Sequence, residues 1–247
     1  MAEWRFLHGW SDAELVTRLG GLAELGRNFD PALPDGWSAH RSTAIVALEA
    51  AGEPEAHGAF ARLCTAVADY EFSDPAIVTA HFNAASPLTE RRLLLELKVL
   101  GLRYLCATVV TEVREERTAD ATYFGFRYDT LQGHIERGEE WFLLTKLHAT
   151  GDVRFDISAR WRAGDFPNWW SRIGFAVLGQ HYQKRWHTRA HQRLAWLANT
   201  PEHGLLRDGR GRRVLMAHEG PPITFAAERL AEKPAVQQSN VSSLPPS

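Results

Sequence analysis

The sequence predicts an α+β fold in which a curved antiparallel sheet grips one long C-terminal helix. Three observations predict it. Val153, Phe155, Ile157, Ala159 and Trp161 alternate with Arg154, Asp156, Ser158, Arg160 and Arg162. That period of two sets an apolar row against a core and a polar row toward water, as in antiparallel sheets covered on one face. After Pro167 the period changes, and Leu178, Tyr182, Trp186, Ala190, Leu194 and Leu197 recur at spacings of four and three, the stripe of an amphipathic helix. Between these signals and the N-terminus lies a succession of strand-like runs. The long helix therefore finds its apolar partner across the concave face of one sheet.

The elements follow in order. Residues 11–20 form a short helix, with Ser11 as N-cap and Glu14 completing a capping box. Leu15, Leu19, Leu22 and Leu25 continue its apolar face. Residues 28–37 are turn-rich, with Asp30-Pro31, Pro34 and Asp35-Gly36. Residues 39–48 read as a strand. Pro54 opens a helix reaching about Tyr70, with Phe60, Leu63, Cys64 and Val67 on one side. Residues 77–83 read as a strand. Residues 91–100 suit a helix by leucine content and a strand by length. Leu105, Ala107, Val109 and Val113 alternate with Thr108, Glu112 and Arg114, while Thr122, Phe124, Phe126 and Tyr128 share another strand face. Residues 140–147 form the next strand, and Thr150-Gly151-Asp152 turns into the run ending at Trp161. The long helix starts near Asn168 and stops before Pro201. Beyond it lie a Gly/Arg loop at 207–213, a small appendage at 214–230 and a Pro/Ser/Gln-rich tail at 232–247 expected to be disordered. The expected organisation is an N-terminal helical arm (1–34), a main domain (35–200), and an appendage with tail (201–247).

Composition removes several function classes. A net charge of -2 leaves no basic footprint for nucleic acid. Glu3, Arg5 and His8 interrupt any signal-peptide core, and the apolar-leaning run 93–110 is broken by Glu96, Lys98 and Arg103. A cytoplasmic location without a transmembrane segment is the expectation. Cys64 and Cys106 stand outside any CxxC spacing and are expected free. No phosphate loop, dinucleotide fingerprint or nucleophile elbow is present, and no cofactor is expected. Nine Trp and twelve Phe demand a wide core or a lined cavity.

The most specific motif lies between Tyr123 and Glu140. Gly125, Tyr128, Thr130 and Leu131 lead into Gly133, His134, Glu136, Gly138, Glu139 and Glu140. This resembles the DUF1990 (UPF0548) signature, Gly-x-x-Tyr-x-Thr-Leu followed by Gly-His-Pro-Glu-x-Gly-Glu-Glu. Ile135 stands where the family usually has Pro. The resemblance extends over about 35–197 and includes Gln183, Arg185 and the basic-aromatic run to Trp196. It implies the helix-grip fold of the START and Bet v 1 group, with a cavity between sheet and helix. It implies no reaction.

His134, Glu136, Glu139 and Glu140 form the candidate site. A histidine beside carboxylates suits acid/base work near neutral pH, which makes His134 and Glu136 the best catalytic candidates. The alternative is a structured loop, with Gly133 and Gly138 supplying unusual backbone angles. The leading expectation is a domain binding a small apolar or aromatic ligand, contacted by Tyr123, Arg127, Tyr128, His134, Glu136, Glu140, Trp141, Phe155, Trp161, Trp170 and Tyr182. The alternatives are an enzyme using the same pocket for acid/base chemistry and a peripheral module. In the last case Arg185, Arg189 and Arg193, beside Lys184, would meet an anionic lipid or a protein. His187 and His191 have the i, i+4 spacing of a zinc pair, but no third ligand is identifiable, and no metal is expected.

Overall fold

The computed structural model describes residues 3–30, 32, 36–164, 166–199, 214–215 and 223–225, with the backbone alone for 169–180 and the last two segments. The chain runs β1 (Glu3–Phe6), α1 (Asp12–Gly21), β2 (Ser38–Leu48), α2 (Ala59–Ala68), β3 (Val78–Asn83), β4 (Arg92–Val99), β5 (Leu102–Arg117), β6 (Ala121–Thr130), β7 (Glu136–Leu147), β8 (Asp152–Ala163), α3 (Trp169–Asn199), β9 (Val214–Leu215) and β10 (Ile223–Phe225). The strands make one antiparallel sheet in the order β2-β8-β7-β6-β5-β4-β3-β10-β9, and β1 pairs with the start of β5. Register shifts near Val46 and Thr111 mark bulges, which bend strands. The sheet curves around α3, as the sequence predicts. No helix of the described residues is long and apolar enough to cross a membrane.

The core fills the space between the concave face and the helices α2 and α3. Phe142 sits at its centre, with ring centroids of Phe72, Phe126 and Tyr128 at 4.6, 5.3 and 5.4 Å. Phe60, Leu63 and Val67 of α2, and Trp186, Ala190, Leu194 and Leu197 of α3, are buried against it. Burying such side chains contributes roughly 1.5–3 kcal/mol each, so the helical stripe is what attaches α3 to the sheet. A second cluster lies on the other face, where Leu15 and Leu22 meet Leu94, Leu105, Ala107 and Leu131. Helix α1 therefore covers part of the convex side. Its capping box is present: Glu14 N–H donates to Ser11 Oγ at 3.4 Å, and Ser11 N–H donates to Glu14 Oε2 at 2.8 Å.

Several elements differ from expectation for identifiable reasons. The segment 91–100 resolves as strand β4, and β1 carries no periodic signal long enough to read. Helix α2 begins at Ala59 rather than at Pro54. The Glu49 carboxylate accepts the Phe60 N–H at 2.7 Å and sits where a side chain at Gly58 would clash, at 2.3 Å from a Cβ. That acceptor at a helix N-terminus sets the start. Glu49 is held in turn by Lys146, fully buried at 3.1 Å, whose Nζ also donates to the Ala50 carbonyl at 2.7 Å. On β5, Leu105 and Ala107 face the second cluster with Val109 packed beside them, whereas Val113 packs on the main core. The bulge between Val110 and Glu112 reverses the alternation. Strand β7 starts at Glu136 rather than Glu140. Gly138 is then a strand glycine without a positive φ; a Cβ there would lie 2.1 Å from the Arg160 carbonyl oxygen. The Gly/Arg loop at 207–213, the rest of the appendage and the 232–247 tail lie outside the described residues.

Candidate functional site

A cavity of about 200 Å³ opens between the concave face and α3. Its walls are apolar: Val78 on β3 with Ile77 just before it, Leu95, Leu97 and Val99 on β4, Leu102 on β5, and Phe166 before α3. Tyr104, Tyr182, Gln183 and Trp186 line it from β5 and α3. Among its polar lining groups, Tyr70, Tyr128, Glu140, His134 and Glu136 form one connected cluster.

Strand pairing builds that cluster. Tyr128 and Glu140 are register partners across β6 and β7, so their side chains share a face. The Tyr128 hydroxyl donates to Glu140 Oε2 at 2.5 Å. Burial, then the nearby Glu140 charge, raises both Tyr70 and Tyr128 well above the ordinary phenol range, so both remain hydroxyl donors. The turn between β6 and β7 needs Gly133, at φ 86. His134 follows it, buried, and its Nδ1 accepts the Glu136 N–H at 2.9 Å. Burial pushes the imidazole down to about 4. It is therefore neutral at pH 7 with its proton on Nε2, because Nδ1 is the acceptor. Burial, then the Glu140 charge, pushes the Glu136 carboxyl up to about 8. Asn28 ties the turn to the N-terminal segment: its Nδ2 donates to the Glu136 carbonyl at 2.9 Å, and Thr130 Oγ1 donates to its Oδ1 at 2.6 Å.

Behind Glu140 runs a second row of polar groups. His187 Nε2 on α3 faces Glu140 Oε1 at 3.4 Å. Ser42 Oγ on β2 lies 2.9 Å from both His187 Nδ1 and His191 Nε2. One hydroxyl donates to one ring and accepts from the other. A carboxylate beside His187 favours a proton on Nε2, so Ser42 donates to His187 and accepts from His191. The His187/His191 pair is thus bridged by a serine, and no group of three His, Cys, Asp or Glu able to hold a metal occurs among the described residues.

Of the residues selected from sequence, Tyr128, His134, Glu136, Glu140 and Tyr182 come together on the cavity. Phe155 lies deeper, fully buried between Phe72 and His191. Trp161 continues its row on β8, partly buried, beyond the cavity wall. Tyr123, Arg127 and Trp141 are on the opposite face, because they differ by an odd number of residues from inward-facing Tyr128 and Glu140. There Tyr123 stacks under Arg114 at 4.2 Å, and Arg127 pairs with Glu112 and Asp129 at 3.1 and 3.2 Å. The Trp170 side chain lies outside the described residues, as do those of Trp169 and Leu178. The basic face of α3 is divided. Lys184 and Arg185 are exposed and Arg189 is half-buried, whereas Arg193 turns inward and its Nε donates to the Glu71 carbonyl. Sequence reasoning missed Tyr70, Tyr104, Ser42 and Gln183. For Tyr104 the local alternation misleads, because the apolar row is that of Leu105, Ala107 and Val109; nothing local singles out Tyr70, which follows α2 at φ 60.

A family model described as "Domain of unknown function (DUF1990)" matches residues 22–193. No curated protein matches the chain. Among solved structures it is similar to the crystal structure of Ara h 8.0201, at TM-score 0.40 and 10% identity over 67% of this chain and 100% of that one. It is similar also to a hypothetical protein of Helicobacter pylori, at TM-score 0.39 and 12% identity over 70% of this chain and 96% of that one. Similarity at this level carries no argument about ligand or role.

Proposed function

The chain belongs to the DUF1990 family, whose description assigns no activity, and we propose from its cavity that it binds a small apolar or aromatic molecule with one polar end. The carrying observation is a mostly apolar space of about 200 Å³ lined by a connected polar cluster of Tyr70, Tyr128, Glu140, His134 and Glu136. Small-molecule sites have this character. The volume selects a small guest, since an apolar cavity of about 150 Å³ accepts benzene while drug-sized ligands occupy roughly 300–1,000 Å³. Single-ring compounds and short chains are the expected class. Titration of the protein with single-ring aromatics, followed by NMR, tests the reading. Saturable shifts should concentrate on cavity residues and vanish in Leu97→Trp, which fills the space from β4. The absence of any saturable response, or an unchanged response in the filled variant, refutes it. The cytoplasm remains the proposed location, and the unpaired thiols of Cys64 and Cys106 suit its reducing conditions.

A second reading, acid/base catalysis in the same cavity, is favoured by Glu136. A carboxyl held at about 8 retains its proton at neutral pH beside a second, charged carboxyl, an arrangement that separates acid from base roles. Of the two catalytic candidates it favours Glu136 over His134, because His134 is held neutral with Nδ1 occupied. Turnover of a bound compound that disappears in Glu136→Gln while binding persists would support it; binding without turnover for every ligand found would dismiss it.

A further inference from the structure

The ionisable groups in the polar cluster of the cavity are acidic apart from His134, which is neutral. Glu136 and Glu140 both line it, and among the described lining residues there is no lysine or arginine. Glu140 is buried, with a phenol on one oxygen and His187 at 3.4 Å from the other. The Glu136 carboxyl has no hydrogen-bond or ion-pair partner among the described residues, although its backbone is tied to His134 and Asn28. Four electron-rich rings line the same cavity: Tyr104, Tyr128, Tyr182 and Trp186. An anionic head group would meet repulsion strengthened by the low dielectric. A neutral head group would add no counter-charge to Glu140, whose contacts are a phenol and His187 at 3.4 Å. A cation gains counter-charge from the carboxyls and attraction from the ring faces.

We propose that the cavity selects organic cations, namely small apolar or aromatic amines bound as ammonium ions, with Glu140 and Glu136 as counter-charges inside an aromatic wall. This rests on the small-molecule reading above and specifies the polar end that it left open. It has a proton signature. Glu136 is largely protonated at pH 7, and an ammonium beside it favours the carboxylate, so binding releases protons. The titratable groups around the pair are His134 from the turn, Tyr128 from β6, Tyr70 after α2, Tyr104 from β5, and Tyr182 and His187 from α3. Tyr70 and Tyr128 stay neutral near pH 7, as does His134, and the Glu136→Gln variant separates proton release by Glu136 from release by His187.

Benzylamine, benzyl alcohol and benzoate share one ring and differ in head-group charge, and calorimetric titration of the full chain with each separates the possibilities. Benzylamine should bind at least about tenfold tighter than benzyl alcohol, a difference of about 1.4 kcal/mol, and benzoate weakest. The benzylamine heat should differ between phosphate and Tris buffers at pH 7, reporting proton release. Glu136→Gln should cut benzylamine affinity about tenfold, abolish the buffer dependence and leave benzyl alcohol within about twofold. Benzyl alcohol or benzoate binding as tightly as benzylamine overturns the cation inference and leaves the small-molecule reading standing. A benzylamine preference untouched by Glu136→Gln overturns the assignment of Glu136. No binding by any of the three, with no response to other single-ring compounds, overturns both readings together.

Discussion

Replacing Glu136 with Gln keeps the side-chain shape and removes one titratable group, which isolates its effect on stability. In the unfolded chain a glutamate has lost its proton well below pH 6.5. In the folded protein Glu136 keeps it until about pH 8. Between those limits the native state holds one proton more than the unfolded state, so stability falls as pH rises, by about 1.4 kcal/mol per pH unit. From pH 6.5 to 8 this amounts to about 2 kcal/mol, and the slope flattens once Glu136 ionises in the folded state. Two histidines act in the opposite direction at lower pH. Burial pushes His134 and His191 each to about 4, so they favour unfolding as pH drops from 6.5 toward 4. The wild-type protein should therefore be most stable near pH 6.5. Urea unfolding at pH 6.5, 7.25 and 8 is the assay, with Glu136→Gln expected to be nearly flat over that range. Equal pH slopes in the two proteins would refute the assignment of a Glu136 that keeps its proton in the folded state.

Lys146→Ala strands the buried Glu49 carboxylate at the start of α2 and should cost about 3–5 kcal/mol; a Glu49→Gln/Lys146→Met double variant should recover much of it in thermal unfolding. Gly138→Ala forces a Cβ to 2.1 Å from the Arg160 carbonyl oxygen and should destabilise by about 1–3 kcal/mol, measured by urea midpoint, with weaker binding at the adjoining turn. Ser11→Ala removes the α1 cap and should cost about 1 kcal/mol, without altering the affinity of any cavity ligand.

The strand alternation of Val153 through Ala159, the stripe from Trp186 to Leu197 and the Ser11 capping box were legible because each depends on neighbours close in sequence. The candidate site was legible in part. His134, Glu136 and Glu140 stood out as a dense motif, and Tyr128 and Tyr182 by their positions on predicted inward rows. Tyr123 and Arg127, as members of the same motif, and Trp141, as an aromatic beside it, read as cavity residues, although strand alternation turns them to the opposite face. The bulge near Thr111 shows the converse limit, since one extra residue reverses a face and leaves no compositional mark.

The sequence by itself determined an α+β chain with one-sided strands and an apolar-striped terminal helix, because side-chain periodicity obeys local backbone geometry. Only the tertiary structure decided that Glu140 would be covered by Tyr128 and His187, that Ser42 would bridge His187 and His191, and that Glu136 would retain its proton near neutral pH. Those outcomes depend on burial and on distances between elements far apart in the chain, and electrostatic energy in a low-dielectric interior is set by such distances.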